Sequence, residues 1–374
     1  MNRKLVERSC GTPTGYQMLR SIAIKNFRAF KSIDVKDCRR VNILVGANGS
    51  GKTALLEALF LAAGASPELA MRTRAWRGVE SERASGSAED ILRAMFRDLF
   101  HRFETKNSVV ISLKGEDKRE NRSVTVAYHP QGQQKIVPAP RNRPGAPPRM
   151  TPERTPIEFV WRIEGSIVFK AEPTISDGRL NFPSAPEWII KGNFFASHRL
   201  SPSIEVANRF STLSRTFSAD AFITKFNELY PIITNLSVEV DSGGPMIFAK
   251  VGNLPEMIPL SLASGGMSKL ASILVTMAAI PGSVILIDEI ENGLYYTQMP
   301  KIWRVITEFA REYNCQIFAS THSAECLKAA APLADENPED FGVIHTYLKD
   351  GESKVLSYGG DKFADALADD IEIR

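Results

Sequence analysis

The chain has 374 residues, 43% hydrophobic and 24% charged, enough for two cores or for one large α/β domain carrying an insertion. A net charge of +3 is too small to argue for a polyanionic partner by itself, and no apolar run approaches the roughly 18 residues of a membrane helix. Four cysteines without a CxxC pair exclude a disulfide framework or a zinc site; with a polar N-terminus lacking a signal-peptide core, they suit a soluble protein of the reducing cytoplasm.

Residues 1–18 read as a loose N-terminal arm. Ser21–Phe27 and Ile33–Lys36 are predicted strands of a hairpin. Val41–Val45 (VNILV) is apolar without alternation, as in a strand buried on both faces, and a glycine-rich loop joins it to a predicted helix over Lys52–Ala63. Strand, glycine loop and helix together open a nucleotide-binding α/β unit. From 65 to 187 the character changes. A charged helical stretch, Ala88–Phe103, precedes alternating runs at Ser108–Leu113 and Ser123–Tyr128, and two more strands are predicted at Ile157–Ile163 and Ser166–Ala171. The intervening segment 131–156 is rich in proline and arginine and cannot build a packed core, so it is expected to be a flexible loop. We therefore expect 65–187 to form an inserted antiparallel β/helical lobe, and 19–64 with 188–374 to form the α/β core. Within that core Trp188–Ala196 reads as a strand, Ile204–Leu229 as helical, and Leu236–Val240 and Met246–Val251 as strands. No repeat or long heptad run interrupts the pattern.

Four motifs carry chemistry. Gly46-Ala47-Asn48-Gly49-Ser50-Gly51-Lys52-Thr53 is a full Walker A sequence. Its glycines let backbone N–H groups curl around phosphates, and the helix that follows adds its positive end. Gly46, Asn48, Gly49, Ser50 and Gly51 are the expected cradle, Lys52 the reach to the β- and γ-phosphates, and the Thr53 hydroxyl a magnesium ligand. The second motif, Val284-Ile285-Leu286-Ile287-Asp288-Glu289, is a Walker B strand ending in two acids. Asp288 is the expected magnesium partner and Glu289 the general base for an attacking water. Third, Ser264-Gly265-Gly266-Met267 opens an apolar helical stretch, Ser268–Ile280, and makes a second anion-binding turn with no phosphate of its own. An ordinary cap at Ser264 would look similar. Fourth, His322 follows the apolar strand Gln316–Ser320; a helix over about Leu294–Glu312 fills the gap from Asp288, bringing His322 to the same sheet edge. A hydrogen-bonding structural histidine is the simpler alternative.

In this order the motifs resemble the ABC-type ATPases related to the RecF, SMC and OLD proteins. Ile24-Lys25-Asn26-Phe27-Arg28 is similar to the opening of that group, which implies that Arg28 lies near the nucleotide phosphates; a surface basic residue is the alternative. Asp288-Glu289-Ile290-Glu291-Asn292-Gly293-Leu294, with a D-loop in its second half, and Ser320-Thr321-His322-Ser323 resemble the OLD branch, as does the end, Ile371–Arg374, after a hairpin turning at Lys349–Glu352. The resemblance covers 20–64 and 188–374, and 65–187 lies outside it. It implies a P-loop ABC-type ATPase head that takes ATP and Mg²⁺, with Glu289 and His322 catalytic. It also implies that Ser264, Gly265 and Gly266 close on the nucleotide of an opposite subunit, and hence a homodimer or higher homo-oligomer. OLD nucleases continue into a Toprim domain. Since the sequence stops at Arg374, a nuclease or toxin effector is expected on a separate polypeptide, in a setting such as anti-phage defence. The glutamine that usually senses the γ-phosphate has no clear counterpart, and His198 or Arg199 stands near its place. A RecF-like DNA-binding role is the second expectation, with Lys135, Arg141, Arg143, Arg149 and Arg154 as possible phosphate contacts. A transporter subunit fits poorly, because Ala263 and Met267 depart from the transporter signature.

Overall fold

The computed structural model describes residues 18–64, 66–79, 87–117, 121–129, 135–137, 149–151, 156–176, 179–183, 192–197, 203–216, 219–241 and 243–363. The N-terminal arm up to 17, most of the proline-arginine segment, His198, Arg199 and the C-terminal Ile371–Arg374 lie outside these residues.

The chain opens with β1 (Leu19–Phe27), β2 (Phe30–Val35) and β3 (Val41–Val45), then α1 (Lys52–Ala63), α2 (Glu68–Trp76) and α3 (Ala88–Phe96). After two short 3-10 turns come β4 (Val109–Gly115), β5 (Arg122–Tyr128), β6 (Lys135–Val137), β7 (Arg149–Thr151), β8 (Ile157–Ile163), β9 (Ser166–Ala171), β10 (Thr174–Ser176) and β11 (Arg179–Asn181). The second half runs β12 (Gly192–Phe195), α4 (Ser203–Arg215), α5 (Ala219–Leu229), β13 (Ile233–Asp241), β14 (Gly244–Val251), β15 (Ile258–Pro259), α6 (Leu260–Ala263) and α7 (Gly265–Ala279). It ends with β16 (Val284–Ile287), α8 (Met299–Glu312), β17 (Gln316–Ser320), α9 (Ala324–Glu336), β18 (Phe341–Lys349) and β19 (Glu352–Gly359).

Two six-stranded sheets organise the molecule. One has the order β12-β16-β17-β3-β18-β19, parallel except for β19, which returns antiparallel as the edge. Its central strands VNILV, VILI and QIFAS are buried along their whole length, which explains their unalternating apolar sequences. Ile43, Ile285 and Ile317 face the core that holds α4, α7, α8 and α9, while Leu44, Leu286 and Phe318 face α1. The other sheet is antiparallel, with the order β2-β1-β4-β5-β8-β9. The strands of 65–187 thus extend the β1–β2 hairpin, Ala23 pairing with Ser112 and Val124 with Trp161.

Helix α1 explains why the sheets belong together. Its sequence KTALLEALFLAA is apolar on nearly every side, and only Thr53 escapes burial. Such a helix must be covered all round. The parallel sheet covers one side and the antiparallel sheet the other, with Leu55, Leu59, Ile111, Val124 and Trp161 in one cluster. The Trp161 indole donates to the Leu61 carbonyl at 3.2 Å.

Three helix boundaries depart furthest from the sequence reading. The helix expected over Ala88–Phe103 ends at Phe96, because Arg102 and Phe103 sit at φ 52° and 61° and Phe100 is drawn into a bridge with Phe27. The helical run Ile204–Leu229 is two helices, α4 and α5. Helix α8 starts at Met299 rather than Leu294, after a 3-10 turn, with Pro300 in its first turn, where a missing N–H costs nothing. Within 131–156, β6 and β7 form a short antiparallel pair. Among the described residues no helix is long and apolar enough to cross a membrane.

Candidate functional site

Strands β16, β17 and β3 are neighbours and end level, Ile287 pairing with Ala319 and Ala319 with Ile43. Loops leaving the carboxyl ends of adjacent parallel strands converge over one crevice. Here they carry Gly46–Thr53 from β3, Asp288–Gly293 from β16 and Thr321–Ser323 from β17.

In the glycine loop Gly46, Gly49 and Gly51 have φ of 137°, 78° and 116°. A Cβ at Gly46 would overlap the Thr346 carbonyl, and one at Gly51 the Phe30 ring, so glycine is required at both positions. Asn48, Gly49, Gly51, Lys52 and Thr53 line a cavity of about 690 Å³; Gly46 and Ser50 lie outside its lining. The Ser50 hydroxyl is buried against that of Thr346 at 2.6 Å. It braces the loop, and its side chain does not join the expected cradle. Lys52 folds over the loop, its Nζ 2.5 Å from the Gly46 carbonyl and 3.1 Å from that of Ala47.

Burial lowers the Lys52 pKa to about 8, against the opposing pull of Asp288, Glu289 and Glu291. Nucleotide phosphates would favour the charged amine, so binding above pH 8 requires proton uptake. ATP affinity is therefore expected to be level below pH 8 and to fall by up to about tenfold per pH unit above it. A calorimetric pH series from 7 to 9.5 reads this directly, and a flat profile would show that the free Lys52 amine is not held below the ordinary lysine range.

Thr53 Oγ1 lies 3.2 and 3.3 Å from the two Asp288 carboxylate oxygens. The Ser320 hydroxyl donates to Asp288 Oδ1 at 2.7 Å and accepts the Glu289 N–H at 2.8 Å, pinning both acids to the end of β17. These oxygen donors suit magnesium. Among the described residues no three His, Cys, Asp or Glu side chains cluster as a metal cage.

Glu289 has φ 48°, a left-handed conformation that costs a non-glycine residue energy and marks functional positions. Besides Ser320, side chains from three elements of the site hold it. The Asn292 amide donates to Oε2 at 2.5 Å, buried Lys269 donates to its carbonyl at 2.7 Å, and His322 Nε2 lies 3.8 Å from Oε1. Burial also lowers the Lys269 pKa. The His322 N–H donates to Glu291 Oε1 at 2.7 Å, so the segment after β16 and that after β17 are tied together. Glu289 and His322 both line the cavity with the glycine loop.

Arg28 lines the same cavity, at φ 46° in the turn between β1 and β2. Its Nε is 3.0 Å from buried Glu57 of α1, which Arg77 grips from the other side at 2.7 and 2.8 Å. Burial lowers the Arg28 pKa, with Glu57 opposing. Arg74 pairs with Asp98 at 2.8 Å, extending the network into the segment after α3.

Ser264, Gly265 and Gly266 are elsewhere. Ser264 caps α7, accepting the Met267 N–H at 3.4 Å, and none of the three lines the cavity. A Cβ at Gly266 would overlap the Gly293 carbonyl, so the start of α7 is packed against the loop after β16. Around them Leu262, Tyr295 and Tyr296 are exposed.

Sequence reasoning missed Arg77, Asp98, Arg102 and Phe103, which complete the cavity from 65–187, and Ser320, Lys269 and Asn292, which hold the acids. Ser320 and Lys269 stood close to motifs already marked. The four from 65–187 carry no local pattern. Of the basic residues weighed as DNA contacts, Lys135 and Arg149 lie on β6 and β7, and Arg141, Arg143 and Arg154 are outside the described residues.

The model of the RecF/RecN/SMC N-terminal domain matches residues 18–340. A relative from Helicobacter pylori (strain ATCC 700392 / 26695), named ATP/GTP phosphatase, is 23% identical over 333 residues, 83% of this chain and 87% of that protein. Among solved structures, the SmcHead bound to the C-winged helix domain of ScpA aligns at TM-score 0.56 and 17% identity, over 92% of this chain and 99% of that one. The Smc head domain with an extended coiled coil bound to the C-terminal domain of ScpA, derived from Pyrococcus furiosus, aligns at TM-score 0.52 and 14% identity, over 94% and 98%. At these identities the structural likeness shows the fold alone, that of an Smc head.

Proposed function

The chain belongs to the RecF/RecN/SMC N-terminal domain family of ABC-type ATPases, and from that we propose a magnesium-dependent ATPase whose nucleotide site is completed by a second copy of the chain. The observation that carries this reading is the separation of two anion-binding devices. Asn48, Gly49, Gly51, Lys52 and Thr53 of the glycine loop share one cavity with Glu289 and His322, and Asp288 is hydrogen-bonded to Thr53, while the Ser264-Gly265-Gly266 turn lines no part of the cavity. A second copy, its turn laid over this cavity, would give the turn a phosphate to bind.

In this mechanism Lys52 exchanges the Gly46 and Ala47 carbonyls for phosphate oxygens. Thr53 and Asp288 would hold a magnesium ion, which when bound would neutralise phosphate charge. Glu289 accepts the proton of the attacking water at Oε1 as its oxygen bonds to the γ-phosphorus, and ADP leaves. His322, beside the same carboxylate, orients that water. The partner's turn covers the γ-phosphate and is released once phosphate departs. ATP thereby links two heads and hydrolysis separates them.

The head acts in turn on a separate effector protein, a nuclease or toxin, in anti-phage defence. The OLD-like residues Asp288–Leu294 and Ser320–Ser323 support this part, and the ScpA-bound Smc heads are a precedent for a separate protein docking on such a fold. The experiment is phosphate release from Mg-ATP across a range of protein concentrations, followed by phage challenge of cells carrying or lacking the gene. Specific activity should rise with protein concentration and loss of the gene should raise phage sensitivity. Activity independent of concentration in a monomer rejects the shared site, and unchanged sensitivity rejects the defence role.

A further inference from the structure

The cavity over the glycine loop has a second wall, built from outside the motifs. It is the segment after α3, docked on the β1–β2 turn through Arg28 N–H to the Leu99 carbonyl at 2.9 Å and His101 Nδ1 to the Arg28 carbonyl at 2.9 Å. This fixed segment ends in Arg102 and Phe103, consecutive non-glycine residues at φ 52° and 61°. Two left-handed residues in a row are costly and persist only where the surroundings enforce them. Here they present Phe103 to the cavity with 56% of its surface exposed. The Arg97 guanidinium lies 5.0 Å from the ring centroid and covers one face. An aromatic ring open to a cavity that also holds a phosphate loop offers a face on which a planar group can stack.

We propose that Phe103 is the platform on which the nucleobase of the bound triphosphate stacks, with Arg97 backing the ring from its other side. The inference rests on the glycine loop holding the phosphates. Stacking on an aromatic face uses the π-surface common to all bases, so Phe103 would add affinity for the nucleoside without selecting its hydrogen-bonding edge. Triphosphate and base would then be gripped by different parts of the chain, the first by α1 and its loop, the second by the segment between α3 and β4.

The test compares ATP with inorganic tripolyphosphate, which has the phosphates and no base, by calorimetry on the full chain. Wild-type protein should bind ATP more tightly than tripolyphosphate. Phe103→Ala should weaken ATP by about fivefold or more while leaving tripolyphosphate unchanged, the size expected for one lost base stack. Phe103→Trp should restore ATP affinity. An unchanged tripolyphosphate affinity also shows that the variant is folded. The proposal is overturned if Phe103→Ala binds ATP as wild type does, or if both ligands weaken equally. Wild-type protein that binds neither ligand would overturn the phosphate-loop reading and this inference with it.

Discussion

Lys52→Ala protein is expected to lose ATP binding by at least about a hundredfold, the effect of removing a charge-assisted contact from a desolvated site. Lys52 is 4% exposed, and its amine stands between the Gly46 and Ala47 carbonyls and the acids after β16. Its burial is unfavourable in the free protein, which is why its pKa falls. A triphosphate supplies the counter-charge that the carbonyls only approximate. Alanine removes that gain and leaves the loop itself intact, since the Gly46 and Gly51 conformations depend on Thr346 and Phe30. Calorimetry with ATP measures the loss, and affinity within about threefold of wild type would reject the phosphate-loop assignment.

Glu289→Gln protein should bind ATP as tightly as wild type and hydrolyse it about a hundred- to ten-thousandfold more slowly, the range attributed to one positioned general base. The amide keeps the size of the side chain and one oxygen for the Asn292 contact, but it takes no proton from water. The left-handed backbone at 289 survives because Ser320 and Lys269 hold it through main-chain atoms. Single-turnover phosphate release separates the chemical step from binding. Hydrolysis at the native rate would remove Glu289 from the mechanism and leave its strained geometry without a catalytic role.

Much of the α/β half was legible because its strands are buried on both faces. Val41–Val45, Val284–Ile287 and Gln316–Ser320 have the ends that their apolar runs indicate, and the side chains after them meet as the spacing implies. The antiparallel half was legible strand by strand but not as a surface of the cavity. Arg77, Asp98, Arg102 and Phe103 arrive there through the pairing of β1 with β4 and the docking of Leu99 on Arg28, contacts that no local pattern announces. One cue was available. Helix α1 is apolar all round, and Glu57 is its one acid, so a second layer bearing cations had to cover it. The helical period that ran on to Phe103 misled because Arg97–Phe103 mixes polar and apolar residues with no glycine or proline to mark the two left-handed residues. Ser50 adds a role that the motif does not announce, its side chain serving the loop's packing against Thr346.

The shared nucleotide site is the central claim, and the solution mass of Glu289→Gln protein with and without Mg-ATP, at low salt and without DNA, tests it most directly. ATP should raise the mass to that of paired chains, and Ser264→Arg, placed on the turn that would cover the partner's phosphate, should prevent the increase. A monomer under both conditions, with ATP demonstrably bound, would contradict the account.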